Sequence, residues 1–201
     1  MPILMNQVRY SEIKTLVADL IEDYGLTYPI DPFNLGALLG AEIVVHKRQL
    51  PSIAAHLQTS DGFTEVIRTQ FGVSFRVHLN GQKPEARQRF TLTHECAHIW
   101  LDHLVDGDFI DFDLGEQEAN FLASYLLAPD VLIDSWLESA QVPEIASRFN
   151  LSREAATLIF KRYMKAIALG PLESEVDLRI LRSATRRNDS EIRSEILKFE
   201  A

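Results

Sequence analysis

The sequence predicts an α+β fold, mostly helical, with a small antiparallel sheet and a C-terminal helical part that is helix-turn-helix-like. Three observations carry this. Helix-period apolar spacing opens the chain, a block of short β-branched and aromatic segments separated by Pro51, Gly62 and Gly72 follows, and from Glu85 onward the period returns to helical.

Taken in order, Ile13, Leu16, Val17, Leu20 and Ile21 recur on one face of a helix over about Ser11 to Asp23, and Gly25 stands just past its end. Asp31 followed by Pro32 reads as an N-cap and first helical position, opening a short helix that stops at Gly40. Four segments then have strand character: Ile43 to Val45, Ile53 to Leu57, Phe63 to Ile67 and Phe75 to Leu79. In the last, Phe75, Val77 and Leu79 alternate with Arg76, His78 and Asn80, so one face packs and the other reaches solvent or a site. The run from Glu85 through Leu104 has neither glycine nor proline and predicts the central helix. Beyond an acidic loop, further helices are expected at about Glu116 to Leu127, Val131 to Ala140, Pro143 to Phe149 and Ser152 to Ala168, and Gly170-Pro171 provides a break. The last thirty residues read as a charged helical tail.

Bulk properties narrow the function. The 201 residues can bury one sizeable core, with room for a small second lobe but not for two large domains. A formal net charge of -9 opposes non-specific attraction to polyanions, so any nucleic-acid contact must be local. The single cysteine, Cys96, excludes an internal disulfide framework, and with no apolar run long enough for a membrane span the expected location is cytoplasmic.

The chemistry lies in His94-Glu95-Cys96-Ala97-His98, an H-E-x-x-H pattern inside the central helix. Residues four apart share a helix face, so two imidazoles converge on one metal ion, while Glu95 stands about 100° around, beside the metal rather than on it. Two neutral imidazoles leave Zn²⁺ uncompensated. A carboxylate is the natural third ligand, with a fourth position open for water that Glu95 deprotonates. Glu118 shares a face with Phe121, Leu122, Tyr125 and Leu126 and should point inward, where an unpaired carboxylate is costly and a cation resolves the cost. Glu116, on a smaller and more polar face with Ala119, Asn120 and Ala123, is the weaker candidate. Manganese is the alternative ion.

Arg87-Gln88-Arg89-Phe90-Thr91-Leu92-Thr93-His94-Glu95-Cys96-Ala97-His98, with Glu118-Ala119-Asn120-Phe121-Leu122-Ala123 and Leu126-Leu127-Ala128-Pro129, resembles the ImmA/IrrE family of metallopeptidases. The likeness covers most of residues 11 to 168. Ala97 and Ala128 stand where the family usually has glycine and methionine, neither in contact with the metal chemistry. The resemblance implies a zincin-like domain, zinc ligands at His94, His98 and Glu118, Glu95 as catalytic base, and a helix-turn-helix transcriptional repressor as substrate. Cleavage of such a repressor would switch on mobile-element or stress-response genes. The expected organisation is a peptidase domain over residues 1–140 and a helical region over 141–201.

Other residues carry weaker signals. Asp102 and His103 follow the motif, but the five-residue step from His98 to His103 does not match the metzincin third-histidine arrangement, and both read as a polar helix end. Arg89, His78 and Asn120 are candidates to support a metal ligand from behind or to donate to an oxyanion, and the sequence does not choose among them. His46 and His56 read as strand residues, and Cys96 as a small packing residue. Asp106, Asp108, Asp111 and Asp113 do not reproduce an EF-hand and read as a solvated loop. Residues 143–167 resemble a helix-turn-helix, and Arg148, Arg153, Lys161, Arg162 and Lys165 against Glu144 and Glu154 leave a local net of +3. That is a small field for phosphate, so packing or repressor docking is preferred there to DNA contact. The rival to a peptidase is a non-catalytic, metal-stabilised regulator that binds the repressor or DNA.

Overall fold

The computed structural model describes residues 5–47, 57, 60–104 and 112–185. The elements run α1 (Gln7–Tyr24), α2 (Pro32–Leu38), β1 (Glu42–His46), β2 (Gly62–Thr69), β3 (Gly72–Asn80), α3 (Glu85–Trp100), α4 (Phe112–Leu127), α5 (Asp130–Trp136), α6 (Val142–Arg148) and α7 (Arg153–Leu169). Residues 175–185 are also helical. The expected strand over Ile53 to Leu57 lies outside the described residues except for Leu57, which is helical and buried. Most of the acidic loop after Leu104 likewise lies outside them.

The capping chemistry read from the sequence is present. The Asp31 carboxylate accepts from the Phe33 N–H at the start of α2, and the Ser152 hydroxyl accepts from the Ala155 N–H at the start of α7. Helix α4 begins at Phe112, a turn before the expected start, and takes Gly115 inside it.

The fold is the expected α+β with a small sheet, but the sheet is mixed rather than antiparallel. Its order is β1-β3-β2, with β2 antiparallel to β3 and β1 parallel to it. A two-residue turn, Gln70-Phe71, enforces the first pairing; the long connection after β1 gives the chain room to return in the parallel sense.

By internal contacts the chain forms two compact units, one of residues 1–7 and 31–124, the other of 8–30 and 125–201. In the first, one sheet face packs on α3: Val77 and Leu79 of β3 meet Leu92, Cys96 and Ile99, with Ile43, Val45 and Phe75 against the same cluster. Each such aliphatic side chain, fully withdrawn from water, contributes about 1.5–3 kcal/mol. The opposite sheet face carries a polar network. His46 Nε2 lies 2.8 Å from His78 Nδ1, and Arg76 bridges Glu42 and Glu65. In the second unit, α1 buries Ile13, Val17, Leu20 and Ile21 as its spacing predicts. There Tyr28, Trp136 and Phe149 form an aromatic cluster, and Arg162 joins α7 to the nearly inaccessible Asp130.

Candidate metal centre

Helix α3 holds His94 and His98 one turn apart, and both rings turn the same nitrogen toward a common point. Their Nε2 atoms are 3.1 Å apart. The third group at that point is Glu116: Oε2 lies 3.4 Å from His94 Nε2, and Oε1 lies 3.2 Å from His98 Nε2. These three are the cluster able to hold an ion among the described residues. A tetrahedral ion bound by nitrogen and oxygen at about 2.0–2.1 Å sets its ligand atoms about 3.3–3.4 Å apart; the 3.1 Å between the two Nε2 atoms and the 3.4 and 3.2 Å from them to the two oxygens of Glu116 are of that order. The donor set therefore fits a divalent cation.

The geometry places Glu118 elsewhere than the sequence reading expected. It is buried, as its apolar face predicts, but its Oε2 lies 3.1 Å from His103 Nε2, away from the His94–His98 pair. Inward on α4 and toward the imidazoles are different directions, because residues two apart on a helix are about 200° apart around it. The polar face that made Glu116 look weaker is the one that reaches the imidazoles, where a position can also open to water.

Electrostatics agree with a ligand role. Burial, reinforced by the neighbouring His94, holds the His98 imidazole down to about 4, so it presents a lone pair at neutral pH. Hydrogen bonding and attraction from His94 and His98 hold Glu116 below its ordinary carboxylate value, against the opposing effect of burial.

Glu95 stands beside the triangle, and its carboxyl is raised above the usual range by burial. A residue the sequence reading did not single out holds it: the Thr64 hydroxyl of β2 donates to Glu95 Oε2 at 2.7 Å. The way β2 lies along α3 explains this contact. Arg87, Thr91 and Glu95 are successive i, i+4 neighbours on α3. Arg87 donates to Asp61, and Gly62 approaches Thr91 so closely that a Cβ there would lie 2.7 Å from Thr91 Cγ2 and 2.8 Å from the His78 carbonyl oxygen. Four helix residues rise about 6 Å and two strand residues about 6.7 Å, so contact at Gly62–Thr91 brings Thr64 opposite Glu95. A threonine on a predicted strand carries no sequence signal for this; only the strand-on-helix register does.

Of the oxyanion candidates, His78 lies on the sheet face opposite Thr64, stacked on Phe63 and beside Glu65. Arg89 is buried, and Asn120 is exposed on α4, one turn after Glu116. Cys96 is fully buried and its thiol is pushed up to about 12, which suits its expected packing role.

Compared with known protein families, residues 41–158 match Peptidase_M78, the IrrE N-terminal-like domain. The chain belongs to this family. The match spans the sheet, α3 and α4, and so includes every residue of the candidate centre. No curated protein sequence matches the chain significantly. Membership of a peptidase family agrees with an H-E-x-x-H helix and its His/His/Glu triangle, and it implies a protein substrate. Among the described residues, no helix is long and apolar enough to cross a membrane.

Proposed function

We propose that the chain is a zinc-dependent endopeptidase in which His94, His98 and Glu116 hold the ion and Glu95 is the general base. The observation that carries the reading is the cluster of two Nε2 atoms and one carboxylate beside a half-buried, raised carboxyl. Zinc, when bound, lowers the pKa of a coordinated water from about 15.7 to about 7 and polarises a carbonyl. The protein's own groups do the rest. Glu95 is held by Thr64 at Oε2, which leaves Oε1 to take the proton of the attacking water and return it to the leaving amine. Its raised pKa brings the carboxylate closer to the basicity such a transfer needs near neutrality.

The substrate class rests on the resemblance to the ImmA/IrrE family: a helix-turn-helix repressor, cut in a flexible segment. On this reading residues 1–140 carry the peptidase chemistry. Residues 141–201, helix-turn-helix-like at 143–167, serve repressor docking, and the protein works in the cytoplasm.

The test mixes the full chain, Zn²⁺ and a helix-turn-helix repressor encoded beside it. Wild type is expected to cut the repressor once or at few sites. Glu95→Gln should keep stoichiometric zinc but lose cleavage, and Glu116→Ala should lose both. Equal cleavage by wild type and Glu95→Gln removes Glu95 from the mechanism. An intact repressor shifted to a stable complex favours the non-catalytic regulator instead.

A further inference from the structure

The buried pair His103–Glu118 is not used by the chemistry above, yet it touches it. His98 turns Nε2 toward His94 and Glu116, and its other nitrogen, Nδ1, lies 3.0 Å from His103 Nδ1. His103 Nε2 in turn lies 3.1 Å from Glu118 Oε2, and both side chains are almost wholly buried, 4% and 6% exposed.

The end of α3 explains how a five-residue step brings two rings together. The His103 N–H donates to the His98 carbonyl and the Asp102 N–H to the Ile99 carbonyl, while Asp102 has φ 57°. This is a Schellman motif, in which a left-handed residue reverses the chain and sets the side chain two places past the cap against the one that opens the last turn. That contact is usually hydrophobic. Here it is imidazole on imidazole.

Counting protons fixes the direction of every bond. With a cation on Nε2, a neutral His98 carries its proton on Nδ1 and donates it. His103 Nδ1 must then accept, so a neutral His103 carries its proton on Nε2 and donates it to the Glu118 carboxylate. Both rings are satisfied and the chain ends on an anion, the arrangement that orients a metal-bound imidazole and raises its basicity. By contrast, His94 Nδ1 is buried without a hydrogen-bond partner among the described residues. His98 is therefore the ligand with a built support.

We propose that His103 and Glu118 are positioning residues: they lock the ring orientation and tautomer of His98 so that Nε2 is presented to the ion. Glu118 acts one residue removed from the metal, through His103. This rests on the reading that His94, His98 and Glu116 bind zinc.

The experiment measures zinc affinity of the full chain by competition with a chromophoric chelator, with the proton positions on ¹⁵N-histidine read by NMR in the zinc-loaded wild type. His103→Phe, which keeps a ring but no polar atoms, is expected to weaken zinc binding about 10–100-fold, as loss of such a support does. Glu118→Gln, which keeps the shape and an acceptor oxygen, should lose less. NMR should show His103 protonated on Nε2 with Nδ1 accepting, a signature that packing alone does not require and that needs no variant. Affinity unchanged in a folded His103→Phe, or His103 protonated on Nδ1 in the loaded wild type, overturns the support role and leaves the zinc reading standing. Wild type that takes up no zinc overturns both.

Discussion

Removing the Thr64 hydroxyl isolates the contact that poises Glu95. In Thr64→Val the carboxylate loses a 2.7 Å donor while side-chain volume is nearly kept. A hydrogen bond to a charged group is worth about 1.5–3 kcal/mol, and the partial burial of this pair puts it at the lower end, about 1.5 kcal/mol. At 1.36 kcal/mol per unit, the Glu95 pKa should rise by about one unit above a value that burial has already raised. The sign carries over to stability. A carboxyl with a raised folded pKa binds more protons folded than unfolded within its window, so stability falls as pH rises through that window, and the variant widens it. Thr64→Val should therefore cost about 1.5 kcal/mol more at pH 8 than at pH 3. The assay is a ¹³Cδ-glutamate NMR titration of the metal-free protein, paired with denaturant unfolding at both pH values. Thr64→Ser should restore the wild-type midpoint. An unmoved Glu95 midpoint in Thr64→Val would refute the inference that this bond sets the base.

Three further outcomes follow from the same geometry. His98 is held down to about 4, so the unfolded chain binds its proton first, and the metal-free protein should lose stability as pH falls from about 6.5 to about 4; thermal melts should show a shallower loss in His98→Gln, and an identical slope would contradict the assignment. With its thiol inaccessible and pushed up to about 12, Cys96 should react with a disulfide reagent at pH 8 only at the rate of unfolding. Gly62→Ala must move β2 off α3 or strain it, at about 1–3 kcal/mol, and should shift the Glu95 titration in the same direction as Thr64→Val.

The H-E-x-x-H spacing, the alternation of β3, the caps at Asp31 and Ser152 and the break at Gly170 were legible because each is a local rule: periodicity and backbone hydrogen-bond needs act over one to two turns. The chain's own residues thereby determined a metal-type helix, a small sheet packed on it and a helical remainder. The parallel placement of β1 was not legible, since strand direction depends on the connection rather than on the strand. Nor were Thr64 as the partner of Glu95, the convergence of Glu116 on the imidazoles, or the engagement of Glu118 by His103. Residue pattern told that Glu118 is buried, but burial says only that a charge needs a partner. Which partner depends on where α4 lies against α3 and on one left-handed residue, Asp102, at the helix end. Those are distances between segments far apart in the chain, and only the packed tertiary structure assigns them.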